Sequence, residues 1–600
     1  MDSPRCLDPI ETELFRHAIF SIADEMALTL LRTTYSGVLK DNMDYSTAVA
    51  TADGQVVAQG LTMPGHLGSI PTALEVIVSR FGHDIEPEDV FILNDPFDGG
   101  MHLPDIFVIK PLFVAGERLA FAATVCHHVD VGGRVAGSNA SDSTEIYQEG
   151  LRIPPLKMYR RGQPDNTLFA LLDRNVRLPI KLLGDLRAQL AACHIADSRF
   201  AELATRYGRH QLEERMTGLL DYAERLTRAA IRALPDGTFS FEDWIDDDGI
   251  DVDNPIRLFV KLTKRQDHIT ADWSGSSAQV KGAINNTLSF TKAATYTAIK
   301  SILPQQIPNN QGAFRPIEIV APPGSIANAL APAACAARGL TGFRMLDCCF
   351  GALAMMVPDR VCAASDGGNT GISIGGYHSD RTPFIYVDFA CGTWGGRPWA
   401  DGLDGNSNMF ANMASQPVEV IEAEHPIQIL GYEFVADKAG PGKFRGGTPF
   451  RRDYRFLEKE GVLQVRSDRR RFRPYGLYGG KPGKPSANFL NPDGENRRLP
   501  SKFTMTIHQG DVLRHELAGA GGWGDPLERD PQLVLRDVRN ELTSIETAER
   551  DYGVCIDPAS WTIDWAASLA LRARQKARRK GPLPAVLRDD TADPIPESVE

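Results

Sequence analysis

Apolar positions along the chain fall into distinct rhythms, and each rhythm predicts an element. Leu14, Ile19, Ile22, Met26, Leu30 and Leu31 recur mostly at three- to five-residue steps, which predicts an amphipathic helix over Leu7–Thr34. Asp8 can cap it, Pro9 suits its first position and Gly37 follows its end. STAVATA, an Asp53-Gly54 turn and QVVAQG then predict a β-hairpin. Ile70–Phe81 returns to helical spacing. Apolar runs over Asp89–Asn94, Ile106–Val114 and Leu119–Val129 predict buried strands, the last two joined at a Gly116-Glu117 turn.

Further on, Ile180–Leu234 reads as a charged helical pair that separates two sheet-rich regions. Strand patterns resume at Gly237, Thr287–Leu303 is helical, and a short buried helix is expected near 340–358. The stretch from Gly371 to Leu517 is rich in strands, turns and glycine, and Leu533–Ala577 alternates helical pieces. The fold class expected is mixed α/β (α+β), a large multi-lobed chain with several sheets and a helical insertion. Its regions are 1–179 (an α/β region with the candidate site), 180–236 (helical), 237–370 (α/β), 371–525 (strand- and glycine-rich), 526–580 (C-terminal helices) and 581–600, a polar, Pro-rich disordered tail. No internal repeat is evident.

Composition narrows the class. The 600 residues carry 65 Lys+Arg against 77 Asp+Glu, a net charge of −12, which argues against nucleic acid or an anionic membrane as partner. The 9 cysteines are scattered without a C-x-x-C, as in reduced cytoplasmic proteins. The start MDSPRCLDPIETELF has no basic segment leading into an apolar run, which argues against a signal peptide. The apolar run Phe350–Val357 is far shorter than the ~20 residues of a membrane span.

Candidate chemistry concentrates in the first region. NDPFDGGMHLPDIFV sets His102 and Asp105 in a loop between two predicted strands, with Pro104 arguing against a helix there. Asp41 and Asp44 in KDNMDYS, and His127, His128 and Asp130 in CHHVDVGG, lie at other strand or loop ends that could reach the same cleft. Two imidazoles with two carboxylates suit Zn²⁺, Mn²⁺ or Fe²⁺, and such a site lowers the pKa of water and polarises a carbonyl. The alternative is a hydrogen-bonded turn at His102 and one buried, one exposed histidine at 127–128.

Other motifs read more plainly. GPGKFRGG (Gly440–Gly447) has one residue too many for a dinucleotide loop, and GGKPGKPS (Gly479–Ser486) has the wrong spacing for a P-loop. Cys126 reads as a buried strand cysteine, AGAGGWGDPLERDP (Ala518–Pro531) as a tight multi-turn segment, and RRRFRPYG (Arg469–Gly476) as a solvated basic face.

RTTYSGVLKDNMDYSTAVATADG, GHLGSIPTALE, NDPFDGGMHLPDI, HHVDVGG, TEIYQEGLRIPPLKMYRRG, GKFRGGTPFRRDYRF and GAGGWGDPLERDP, in this order, resemble the hydantoinase B/oxoprolinase family. The resemblance runs to about Asp551. It implies a metal site at Asp44, His102, Asp105 and His127, with His128 or Asp130 orienting water or moving a proton. It also implies an A-type partner that binds ATP and Mg²⁺ and phosphorylates the substrate's carbonyl oxygen, in a heterodimer or doubled heterodimer. This chain has no ATP signature of its own. Its KDNMDYS departs from the usual K-E-R-x-D-x-S, with Asp41 for Glu and Asn42 for Arg. The activity implied is ATP-dependent hydrolysis of a cyclic amide (a hydantoin, lactam or 5-oxoproline-like ring) in the cytoplasm. The alternatives are a subunit of an ATP-dependent ketone carboxylase, marked by bicarbonate dependence, and a non-catalytic scaffold.

Overall fold

The structure is a computed structural model and describes residues 8–390, 392–579 and 581–589. Among the described residues run twelve helices and six sheets. Helix α1 (Pro9–Thr33) and the short α2 (Gly37–Lys40) lead into strands β1 (Tyr45–Thr51) and β2 (Val56–Gln59), then helix α3 (Ser69–Phe81). Strands β3 (Val90–Leu93), β4 (Asp105–Val114), β5 (Glu117–His127), β6 (Leu156–Arg160) and β7 (Gln163–Pro164) complete an antiparallel sheet in the order β2-β1-β5-β4-β3-β6-β7.

The α1 cap forms as its sequence suggests: the Asp8 carboxylate accepts from the Ile10 N–H and Pro9 takes the first turn. Leu7, the first residue of the expected helix, lies outside the described residues. The buried stripe of α1 runs through Phe15, Ile19, Ile22, Ala23, Met26 and Leu30. Leu14 is exposed, because Phe15, one position on, carries the contact. The turn joining β4 and β5 is Ala115-Gly116, one residue earlier than expected; both residues have positive φ, as a type I′ hairpin requires.

Helices α4 (Asn166–Asn175), α5 (Pro179–Tyr207) and α6 (Arg209–Arg232) follow, α5 and α6 parting at Gly208, whose φ is +73°. Strands β8 (Gly237–Ile245), β9 (Ile256–Arg265), β10 (His268–Asp272) and β11 (Ile317–Val320) make a second sheet, with α7 (Leu288–Ser301) and α8 (Arg338–Met356) around it. The helix expected to be short is α8, with 19 residues, all buried but Met355. Its observed span lies within two residues of the expected 340–358, and its first turns bury Arg338 and Arg344.

Strands β12 (Thr370–Tyr377) and β13 (Pro383–Ala390), helix α9 (Val418–Glu424) and strands β14 (Ile427–Phe434), β15 (Phe450–Phe456), β16 (Glu460–Arg466), β17 (Gly476–Leu477), β18 (Ala487–Leu490), β19 (Arg497–Leu499), β20 (Lys502–His508) and β21 (Val512–Glu516) come next. They build the sheets β13-β12-β16-β20 and β14-β15-β21-β18-β19. Helices α10 (Pro531–Arg539) and α11 (Ile545–Tyr552), strands β22 (Cys555–Asp557) and β23 (Thr562–Asp564), helix α12 (Trp565–Ala577) and strand β24 (Val586–Leu587) follow. Part of the expected tail is therefore ordered: β24 pairs with β17, and Asp589 meets Arg473 at 2.6 Å. Residues 590–600 lie outside the described residues.

The first sheet is buried on both faces. One face packs on α1, α5 and α6; the other joins α3, α7, α8 and the second sheet in one apolar core. No helix among the described residues is long and apolar enough to cross a membrane, and the seven described cysteines are free. Burial holds the thiol of Cys126 well above its ordinary pKa, as for a core residue. The glycine run near Ala518 is a tight multi-turn segment: a Cβ on Gly519, Gly521 or Gly522 would stand within 2.2 Å of a neighbouring carbonyl oxygen.

RRRFRPYG is not the solvated face its charge suggested. Arg469 is fully buried, giving one Nη to Asp243 (3.0 Å) and the other to Asp347 (2.7 Å). The backbone N–H groups of Arg470, Arg471 and Phe472 all donate to the Asp246 carboxylate. Removing Arg469 strands two carboxylates in the core. Arg469→Ala is expected to destabilise the protein by about 3–5 kcal/mol, read as a lowered urea midpoint. An unchanged midpoint would mean that the ion pairs contribute nothing net.

Candidate metal centre

Strand register assembles the site. In the β4–β5 ladder Asp105 stands directly opposite His127, and in the β1–β5 ladder Tyr45 stands opposite Cys126. One step further the His127 N–H donates to the Asp44 carbonyl at 3.1 Å. Asp44, His127 and Asp105 thus form a row across three neighbouring strand ends, on one face because cross-strand partners point the same way.

His102 joins from the loop before β4, where the Asp105 N–H donates to its carbonyl at 3.1 Å. The Gly-Gly pair explains that loop. Gly99 has φ +100°, and a Cβ on Gly100 would lie 2.6 Å from the Asn94 carbonyl oxygen. The chain therefore folds back tightly enough to return His102 to the strand end.

Ligand atoms of His102, Asp105 and His127 all lie within 4.8 Å of one another, and all three residues are buried. That is close to the separations of about 3–4.4 Å between donors sharing one ion at roughly 2.0–2.2 Å. Both ring nitrogens of His127 and Asp44 Oδ1 are buried without a hydrogen-bond partner, and His102 Nε2 and Asp105 Oδ1 have only each other, 3.1 Å apart. Buried polar atoms are normally paired. So many poorly partnered atoms converging on one point fit a cation, and the two-imidazole, carboxylate set suits a transition metal.

The surroundings orient these ligands. His102 Nδ1 lies 3.2 Å from the Ala336 carbonyl, which fixes the proton there and leaves Nε2 a lone pair facing the cluster. Arg466 donates to the same carbonyl at 2.8 Å and to Asn139 at 2.9 Å. Glu149 holds the Ala336 and Cys335 N–H groups at 2.9 and 2.8 Å. Arg338, with its guanidinium 4.0 Å above the Phe290 ring, pairs with Asp105 Oδ2 and leaves Oδ1 open. Phe389 packs edge-on against His127, with ring centroids 5.2 Å apart.

Electrostatics match this arrangement. Burial, followed by the Arg338 charge, lowers the His102 pKa to about 4; burial also holds His127 well below its ordinary value. Both imidazoles are neutral and ready to coordinate. Burial opposes the charge on Asp105, but His102 and Arg338 outweigh it and keep its pKa well below the carboxylate range. Burial, and then the charge of Asp105, pushes Asp44 up to about 8.

The remaining candidates lie elsewhere. His128 points to the opposite sheet face, where Nε2 meets Gln189 of α5 at 3.1 Å. Successive strand side chains alternate, so it cannot share the face of His127. The Asp130 carboxylate is occupied by the N–H groups of Gly132, Gly137 and Arg177 and by the Arg177 guanidinium at 2.9 Å. The structure brings neither to the cluster. Asp41 is half-buried beside Lys40. Asn42 is turned away, donating to the Ala414 carbonyl at 3.1 Å and accepting from Gln416 at 2.9 Å.

Sequence reasoning missed His66. Its Nδ1 meets Ser46 Oγ at 2.8 Å, and its unpartnered Nε2 stands 3.9 Å from Asp44 Oδ1. A signal existed in GHLGSIPTALE, but the residue lies outside the strand ends that drew attention. Arg338 carried no signal, being distant in sequence at the start of a buried helix.

The hydantoinase B/oxoprolinase family model matches residues 8–526. The chain is 32% identical to the beta chain of the caprolactamase of Pseudomonas jessenii over 581 residues, covering 94% of this chain and 99% of that one. It is 31% identical over 585 residues to a protein of Pseudomonas sp. (strain NS671) assigned as the B-type component of a D-/L-hydantoinase, covering 94% and 98%. The crystal structure of the ATP-dependent caprolactamase from Pseudomonas jessenii superposes with a TM-score of 0.86 at 29% identity, covering 95% of this chain and all of that one. Nucleotide-free acetone carboxylase also superposes at 0.86, but at 18% identity it speaks to the fold alone, covering 96% and 84%.

Purified protein is expected to hold about one transition-metal ion per chain by plasma mass spectrometry, lost in His102→Ala and His127→Ala and retained in His128→Ala. At about pH 7 the buried Asp44 carboxyl is protonated and the imidazoles are not, so loading should release about one proton per ion, from Asp44. Asp44→Asn should release about one proton fewer than wild type near pH 7, a difference that closes above about pH 9, where Asp44 is already ionised. Calorimetry in two buffers of different ionisation enthalpy measures it; equal release from Asp44→Asn would exclude Asp44 as the source.

Proposed function

The chain belongs to the hydantoinase B/oxoprolinase family, and from that premise we propose that it is the metal-bearing B-type subunit of an ATP-dependent cyclic amidase. Its substrate is a hydantoin, lactam or 5-oxoproline-like ring whose carbonyl oxygen an A-type partner phosphorylates with ATP and Mg²⁺. Two relatives being named as subunits supports such a partner. The seven described cysteines are free, in keeping with a cytoplasmic setting. The observation that carries the reading is the convergence of His102, Asp105 and His127 with their buried, poorly partnered ligand atoms.

Amide resonance makes an unactivated lactam a poor electrophile, and an activated oxygen removes that obstacle. A divalent Zn, Mn or Fe ion held by His102, Asp105, His127 and Asp44 supplies Lewis acidity and lowers the pKa of water. The protein's own groups do the rest. Ala336 holds the His102 proton on Nδ1, Arg338 neutralises one Asp105 oxygen, and burial excludes bulk water. Ser46 holds the His66 ring so that Nε2 faces Asp44, where it can accept a proton as water attacks. In this reading His66 takes the proton-transfer role that the family resemblance implies for His128 or Asp130.

The test is turnover of a panel of cyclic amides by the chain co-purified with its A-type partner. ATP-dependent ring opening is expected, lowered by about 10²-fold or more in His66→Ala and His127→Ala. Carboxylated product and an absolute need for bicarbonate would instead make it a ketone carboxylase subunit. Full turnover in His127→Ala would make it a scaffold.

A further inference from the structure

A cavity of about 570 Å³ lies beside the metal centre without sharing its ligands. One wall is Gln59–Pro64; others come from the end of α7, from residues 360–362 and from 394–399. Met63, Leu67, Phe350 and Trp394 give it an apolar lining. The Trp394 ring is fixed by a bond from Nε1 to the Ser407 carbonyl at 2.6 Å.

Three cations line this space, Lys300, Arg360 and Arg397, and no carboxylate does. Their hydrogen bonds go to backbone carbonyls. Lys300 Nζ meets the Ile307 oxygen at 2.8 Å, Arg360 the Ile302 oxygen at 3.4 Å, and Arg397 the Asp401 oxygen at 3.0 and 2.5 Å. None has a carboxylate within ion-pair distance among the described residues, in a chain whose net charge is −12; Lys300 and Arg397 are half-buried and Arg360 is exposed. Burial lowers the Lys300 pKa to about 8, which shows that its charge is poorly compensated. Holding the half-buried Lys300 and Arg397 against an apolar wall beside the exposed Arg360 is unfavourable, and a bound anion offsets that repulsion.

We infer that this cavity binds a small organic anion, a phosphate or carboxylate on a flat apolar body, its charge among Lys300, Arg360 and Arg397 and its body against Trp394. A planar body suits the indole face, and guanidinium forks suit the oxyanion. The site stands apart from the proposed hydrolysis, and either can fail alone. It lies close to the metal centre all the same: the wall residue Met63 accepts from Ser46 Oγ at 3.2 Å, and Ser46 holds His66.

Titration calorimetry of the full chain at fixed ionic strength tests this, using phenyl phosphate, inorganic phosphate and benzyl alcohol. Phenyl phosphate is expected to bind one per chain, with the anion alone and the ring alone each weaker by about ten-fold or more. Arg360→Gln with Arg397→Gln should weaken phenyl phosphate by about ten-fold or more, while lysine at both positions, which keeps the charge but not the fork, restores only part of the affinity. The inference is overturned if the wild-type chain binds no phenyl phosphate, if inorganic phosphate binds as tightly, or if the folded glutamine variant binds undiminished.

Discussion

Everything at the candidate metal centre depends on the backbone ladder that joins β1, β5 and β4. The ladder puts residue 105 opposite 127 and aligns 44 beside them, so one row of side chains meets at three strand ends. Hydrogen bonding between strands creates the site; among its side chains His102 and Asp105 attract, while Asp44 and Asp105 repel and burial opposes every charge. Apolar packing on both faces of the sheet fixes that register, because a shifted strand would turn its core residues the wrong way.

The cost of this arrangement is met by charge placed further out. Arg338 offsets Asp105, and Glu149 holds the peptide N–H groups around Ala336, whose carbonyl orients His102. A second buried network ties Arg344, Arg469 and Lys502 to Asp243, Asp347 and Asp468. It links β8 and α8 to the β16–β20 region. Such pairs add little net stability over apolar packing, but breaking one leaves a stranded charge, so they define one way for the parts to fit.

Much of this is legible in the order of residues alone. Helix α1 with its Asp8 cap, the hairpin β1–β2 and strands β3 to β5 follow from apolar spacing and turn residues. The triplet His102, Asp105 and His127 follows from strand ends and the family resemblance. What stays hidden is long-range. Arg338 and Arg466 reach the site from α8 and β16, and nothing near them in sequence says so. Arg469 reads as solvated because charge is a local property and burial is not. His128 is a natural suspect beside His127, yet alternation along β5 sends it to the opposite face, against Gln189. His66 escapes notice because it sits in a short 3₁₀ turn rather than at a strand end.

The Ala115-Gly116 turn lies at the far end of β5 from His127, and loops of that kind usually tolerate insertions and deletions. Here one residue gained or lost could not be absorbed quietly in the turn if it slid β5 along β4. The strand would then offer Cys126 or His128 where His127 now stands. The ladder already takes up one extra residue of β5 in a bulge near this turn, where Leu112 faces Ala120 but Phe113 faces Arg118, and that bulge sets the phase that brings Asp105 opposite His127.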